Sequence, residues 1–181
     1  MSDLANEAYA IITELSLLEL LRRFGDARLV GSVPLDLIVK LDIDIHVLVS
    51  IRDLLNTVDI IYHRLLENEQ IREVRISDYR PEGVKIGIDS YPGVSGDWSI
   101  DIWVTSQVEY TGFSFLDRLE RELLPGHRST IMEIKRSYHH QGLLRDGISM
   151  QIYRAVLDDE VRSVKKFHHY LEEQDQEMDS T

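Results

Sequence analysis

Three aspartates sit where the sequence otherwise asks for burial. In "LDIDIHVLVS", residues 41–50, Asp42 and Asp44 interrupt a run of Leu, Ile and Val. In "WSIDIWVT", residues 98–105, Asp101 does the same. Side chains alternate across a strand. Ile43, Ile45, Val47 and Val49 therefore share one face, and Asp42, Asp44, His46 and Leu48 the other. In the second stretch Trp98, Ile100, Ile102 and Val104 form one row, and Ser99, Asp101, Trp103 and Thr105 the opposite row. Asp42 and Asp44 then stand about 7 Å apart along one face. If the two stretches are neighbouring strands, ~4.8 Å apart, the three carboxylates converge on one patch.

Converging carboxylates repel. A pair at about 4 Å costs on the order of 4 kcal/mol at an effective dielectric near 20. Protonation of one acid, or a bound cation, relieves this. Oxygen-only ligands in such an arrangement suit Mg²⁺ or Mn²⁺, held by a few carboxylates, waters and substrate phosphates. Two such ions about 3.5–4 Å apart clamp an in-line phosphoryl displacement. Gly31 and Ser32, just upstream, fit that chemistry. Gly31 admits a phosphate to the backbone, and Ser32 adds a hydroxyl donor. The turn that follows, 33–40, is expected to be helical and to aim its first amides at an anion.

Competing readings remain open for each residue. Asp42 and Asp44 also suit an edge strand with a solvated face, as does Asp101. Asp89, in "KIGIDSY", is the rival for the third acid. His46 shares the acids' face and is either a substrate contact or polar cover. Adjacent residues on a helix point apart, so His139-His140 and His168-His169 are expected at the surface. Lys135, Arg136 and "VRSVKK" (161–166) read as solvated helix faces, with phosphate binding the alternative, and Tyr138 and Tyr153 as core or interface residues of the helical section.

The elements that must position the acids follow from periodicity. Leu4, Ala8, Ile11, Leu15, Leu18 and Leu21 recur at helical spacing and predict one or two helices over 3–24, stopped by Gly25. Strands are expected at 27–32, 42–50, 71–77, 84–90 and 98–105. A helix at 51–68 carries Leu54, Leu55, Val58, Ile61, Tyr62 and Leu65 on one stripe. "RPEG" (80–83) is a turn. Helices are expected at 114–123, 129–140 and 149–171, broken by "PGH" (125–127) and by 142–147. The fold class is α+β: a mixed sheet with helices packed on one face, followed by a C-terminal helical section. This divides the chain into an α/β core (1–112), a helical section (113–171) and a frayed acidic tail (172–181).

The 181 residues suffice for one ordinary domain. Hydrophobic content of 43% and charged content of 29% are those of a globular chain. The absence of cysteine excludes disulfides, thiolate metal sites and a cysteine nucleophile. The net charge of −12 argues against a large nucleic-acid partner, because such binding draws its affinity from Lys and Arg. No apolar run approaches a membrane span and no signal peptide is evident, so a soluble cytoplasmic protein is expected.

The order "LVGS", nine residues, "DIDI", then a distant "IDI" resembles the nucleotidyltransferase superfamily, whose fold is shared with DNA polymerase beta. Gly31, Ser32, Asp42, Asp44 and Asp101 match that pattern in order, over residues 27–105. The helical C-terminal part is similar to that of small bacterial members such as antibiotic nucleotidyltransferases. The resemblance implies that Asp42 and Asp44 hold two Mg²⁺ (or Mn²⁺) ions. It implies that Asp101 binds the second metal and takes the proton of the acceptor hydroxyl, and that Gly31 and Ser32 hold the triphosphate of an NTP. The reaction expected is transfer of a nucleoside monophosphate to a hydroxyl of a small molecule or protein, with no large nucleic acid involved. The alternative is an inactive regulator or antitoxin-like binding protein of this fold, with a helical protein partner or as a homodimer.

Overall fold

The computed structural model describes residues 1–145 and 147–179. In chain order the elements are α1 (Asp3–Glu14), α2 (Leu17–Leu21), β1 (Asp26–Val30), β2 (Asp42–Leu48), α3 (Leu54–Leu66), β3 (Arg75–Tyr79), β4 (Gly83–Pro92) and β5 (Asp97–Thr105). A single 3₁₀ turn (Val108–Tyr110) leads into α4 (Phe113–Glu122), α5 (Pro125–His140), α6 (Ile148–Leu157) and α7 (Val164–Asp179). The chain divides into two compact units between Arg118 and Leu119.

The first unit is built on a five-stranded sheet of order β1-β2-β5-β4-β3. β1 and β2 are antiparallel, β2 and β5 parallel, and β4 runs antiparallel to both β5 and β3. This is the mixed sheet of an α+β fold. The alternation that defined the strands also defines the core. Ile43, Ile45 and Val47 of β2, Ile100, Ile102 and Val104 of β5, and Ile86 of β4 are fully buried. They join Ala5, Ala8, Ile11 and Ile12 of α1, Leu17 and Leu21 of α2, and Val58, Ile61 and Leu65 of α3 in one cluster. Burial of each large side chain contributes roughly 1.5–3 kcal/mol. The first helix starts at Ser2, whose hydroxyl accepts from the Ala5 amide at 3.3 Å. Ser16, in the left-handed region at φ 49°, breaks the amphipathic run into α1 and α2. Trp98 is fully buried, and its indole N–H donates to Glu7 Oε1 at 3.1 Å, which ties β5 to α1.

The second unit packs α5 against α6 and α7. Ile131, Ile134, Tyr138, Ile152, Tyr153, Val156 and Phe167 are buried there. Tyr138 and Tyr153 are core residues, as expected, and the two histidine pairs are exposed. The Tyr138 hydroxyl lies 2.9 Å from His168 Nδ1.

Several local expectations change. Residues 33–36 form hydrogen-bonded turns and 37–40 are irregular, so no row of helix N-terminal amides exists there. Residues 71–74 precede β3 without joining it. Leu55 is 54% exposed and lies off the α3 core stripe. Pro125 begins α5 instead of breaking a helix; proline lacks the N–H that the first turn leaves unused. The long helix expected at 149–171 is α6 and α7, parted at 158–163. Residues from 172, expected to fray, continue α7 to Asp179, while Ser180 and Thr181 lie outside the described residues. Lys135 is buried at 3% exposure rather than solvated, and its ammonium donates to the Tyr153 hydroxyl at 3.3 Å. Among the described residues no helix is long and apolar enough to cross a membrane.

Candidate functional site

The parallel pairing of β2 with β5 decides the site. Asp44 lies directly opposite Asp101, and Asp42 opposite Ser99. On its other side Asp44 pairs with Val30, the last residue of β1. All three acids therefore emerge on the face that the core isoleucines do not use. The rival, Asp89, is exposed on β4 and forms an ion pair with Arg75.

Gly31 follows Val30 directly and turns the chain back over Asp44. Its φ is +73°, a conformation that favours glycine. A Cβ placed on Gly31 would run into Asp44 Oδ2, so only glycine lets the backbone approach this carboxylate. Ser32 is 7% exposed, and its carbonyl accepts from the Leu37 amide at 3.0 Å, closing the loop that carries the pair. Asp36, at φ 53°, turns this loop outward, where its carboxylate accepts from the Ser2 amide and hydroxyl.

The acids are crowded, and their electrostatics record it. Asp44 is pushed up to about 7, first by loss of hydration and then by the charges of Asp42 and Asp101. Two lysines oppose that shift. Lys85 Nζ lies 2.7 Å from Asp101 Oδ2, and Lys40 Nζ lies 3.9 Å from Asp42 Oδ2. Among the described residues no group of three His, Asp or Glu side chains converges tightly enough to hold a metal ion. The donor set is nevertheless the kind a hard divalent cation uses: carboxylate oxygens on paired strands, one of them pushed up by burial and by the neighbouring charges. A cation would replace the two ammonium groups as the balancing charge.

His46 has a different task from the one its position suggested. Its Nδ1 accepts from the Gly112 amide at 2.9 Å, and burial pushes the imidazole down to about 4. It anchors the segment that follows β5.

The sequence reading placed Trp103 on the row of Asp101 but did not bring Lys85, Gly87, Tyr79 or Tyr110 to its side. Gly87 pairs with Asp101 in register, and a Cβ there would reach 3.4 Å from Asp101 Oδ1, so glycine keeps that flank of the acid open. Lys85 and Gly87 lie on one row of "GVKIGI", and the signal lacking was that β4 borders β5.

No family model and no curated protein matches the sequence. Solved structures do match. A poly(U) polymerase, Cid1, bound to MgATP superposes with a TM-score of 0.63 at 21% identity, covering 87% of this chain and 50% of that one. A cytoplasmic RNA terminal U-transferase gives 0.63 at 17% identity over 86% of this chain and 49% of its own. The polymerase core of TRAMP, an RNA surveillance complex, gives 0.54 at 21% identity over 84% and 47%. The chain thus spans about half the length of the solved structures it matches. At this identity the likeness speaks for architecture, and the chain has the nucleotidyltransferase fold, as the order of its glycine-serine pair and three acids suggested.

Proposed function

We propose that the chain is a nucleotidyltransferase that moves a nucleoside monophosphate from an NTP to a hydroxyl acceptor. The observation that carries this is the side-by-side placement of Asp44 and Asp101, with the Gly31 backbone laid against Asp44. Phosphoryl transfer of this kind depends mainly on positioning and on neutralising charge. Gly31 and Ser32 would bind the triphosphate through backbone amides and a hydroxyl. Asp42, Asp44 and Asp101 would hold Mg²⁺ or Mn²⁺, which supplies positive charge at the phosphates when bound. Asp101 would accept the proton of the attacking hydroxyl at a carboxylate oxygen, once Lys85 has released it.

The similar structures are named for RNA work: a poly(U) polymerase, an RNA terminal U-transferase and an RNA surveillance complex. Their names favour an RNA end as the acceptor and give no support to the small-molecule or protein hydroxyl expected from the charge. A net charge of −12 sets the terms of such an encounter, because a few local cations and the metal must do what a basic surface does elsewhere.

The test is thermal shift with each NTP, with Mg²⁺ and with EDTA, followed by extension of a labelled single-stranded RNA. Mg²⁺-dependent stabilisation that disappears in Asp44→Asn supports the reading. Equal behaviour of parent and Asp44→Asn defeats it.

A second reading has its own observation. Lys85 on Asp101 and Lys40 on Asp42 balance two of the acids without any metal. In that reading the chain is a catalytically inactive binding protein of the same fold. NTP stabilisation that does not depend on Mg²⁺, with no RNA extension, favours it.

A further inference from the structure

Beside the acids, on the β4 and β3 side of Asp101, lies a pocket of about 650 Å³. It is lined by Tyr79, Arg80, Glu82, Lys85, Trp103 and Tyr110. Trp103 stands in the same outward row as Asp101, two residues further along β5, and pairs with Lys85 in register. Lys85 thus touches both features: it lines the pocket, and its ammonium bonds the Asp101 carboxylate.

The pocket is built around rings. The centroids of Tyr79 and Trp103 are 5.8 Å apart at an interplanar angle of 40°. Trp103 lies against Gly83, where a Cβ would come within 2.7 Å of its Cζ2, so glycine is what lets the indole settle onto the neighbouring strand. The indole N–H is buried and has no hydrogen-bond partner among the described residues, which is uncommon for a buried donor. Arg80 and Lys85 line it in a chain that is strongly acidic overall; each is held by a carboxylate, Arg80 by Asp78 and Lys85 by Asp101, and Glu82 lies among the lining residues.

Aromatic faces beside a guanidinium and an ammonium suit an unstacked nucleobase, whose phosphate would take the place of the carboxylates that hold those two groups. Stacking accepts any base, and the cations meet the backbone. A base within a duplex cannot reach such a surface, whereas a single-stranded end can. The sheet order distinguishes donor from acceptor. Gly31 and Ser32 lie at the end of β1, on one side of Asp101, and the pocket lies on the other side, toward β3. An in-line displacement places the entering and leaving oxygens on opposite sides of the phosphorus.

We propose that this pocket is the acceptor subsite, where the terminal base of a single-stranded RNA stacks on Trp103 and Tyr110 while Arg80 and Lys85 meet its phosphate. The identity of the occupant rests on the nucleotidyl-transfer reading; the stacking surface does not.

Tryptophan fluorescence tests it. The chain has two tryptophans, and Trp98 is fully buried, so a quench produced by ligand reports Trp103. Short single-stranded RNA is titrated in EDTA without NTP, which separates this test from that of nucleotide transfer. The expected result is saturable quenching by single strands and little by a duplex of the same length. Trp103→Leu should weaken RNA binding about tenfold by anisotropy. Tyr110→Ala, at a side chain 40% exposed and so safe for folding, should weaken it severalfold while leaving Mg²⁺-dependent NTP stabilisation unchanged. Quenching by ATP alone as strong as by RNA would assign the pocket to the donor base and overturn the proposal. So would RNA binding that is indifferent to Tyr110→Ala. Quenching by RNA together with a failure of NTP to bind would leave the stacking surface standing and remove the transfer reading.

Discussion

Asp44 and Asp101 face each other across the parallel pairing of β2 and β5, and burial, with the charges of Asp42 and Asp101 added to it, pushes Asp44 up to about 7. Two fixed strands impose the repulsion, so side-chain rotation alone cannot remove it. Asp44→Asn should therefore have opposite effects on stability and function. Without metal at pH 8 the variant should be more stable than the parent, by up to a few kcal/mol, because a crowded charge is gone. Mg²⁺-dependent NTP binding should be lost. Calorimetry in EDTA and in Mg²⁺-NTP measures both, and a variant that loses stability in EDTA would contradict the crowding.

The pH dependence of the metal-free protein should contain two opposing contributions. Asp44 is raised from an ordinary 3.8 to about 7, so the folded chain keeps a proton that the unfolded chain has lost. Its contribution is fully present below about pH 4 and disappears as pH rises through about 7. His46 is lowered from an ordinary 6.5 to about 4, so the unfolded chain holds the extra proton. Its contribution is fully present above about pH 6.5 and disappears as pH falls through about 4. Between these limits the two oppose each other. Variant-minus-parent curves of Tm in EDTA separate them. For Asp44→Asn the difference should climb from pH 4 to pH 7, and for His46→Gln it should climb as pH falls from 6.5 to 4. Flat difference curves would show that neither group is perturbed.

Gly31→Ala should damage both fold and site. The φ of +73° strains any L side chain, at a cost of about 1 kcal/mol or more, and the new methyl would press on Asp44 Oδ2. Relief requires the loop to lift or Asp44 to turn away, and either move spoils the triphosphate cradle. The expected outcome is a Tm several degrees lower and loss of Mg²⁺-dependent NTP stabilisation. Ser32→Ala, which changes no backbone angle, should keep the Tm within a degree or two and weaken NTP binding alone.

The acids were legible in the sequence because a strand advertises its two faces. Ile43, Ile45 and Val47 against Asp42, Asp44 and His46 is a period of two, and burial follows it residue by residue. The same logic separated Ile100, Ile102 and Val104 from Asp101 and Trp103. Which strands touch was not legible, since pairing is decided by contacts distant in sequence. Lys85 and Gly87 therefore went unnoticed beside Asp101, and Asp89 remained a rival until its partner Arg75 was seen. His46 misled for the same reason: its partner, the Gly112 amide, is 66 residues away. Helix boundaries failed where local signals conflicted. Pro125 ends one helical pattern and opens the next, and Lys135 carries a charge into a helix face that the fold buries.

Lys85→Met tests whether the ion pair on Asp101 competes with metal. The ammonium lies 2.7 Å from the carboxylate and is the first of the opposing charges acting on Asp44. Methionine keeps most of the apolar stem and removes the charge. The three acids then face one another with less compensation, and Asp44 should rise further in EDTA. A divalent cation entering the site should meet less positive charge, so Mn²⁺ should bind several times more tightly, by titration calorimetry or by loss of the free-ion resonance signal. Acceptor binding should weaken in the same variant, because Lys85 also lines the aromatic pocket. Tighter metal with weaker RNA would show one lysine serving two neighbouring sites. Weaker metal binding would mean that Lys85 holds Asp101 in place for the cation rather than standing in for it.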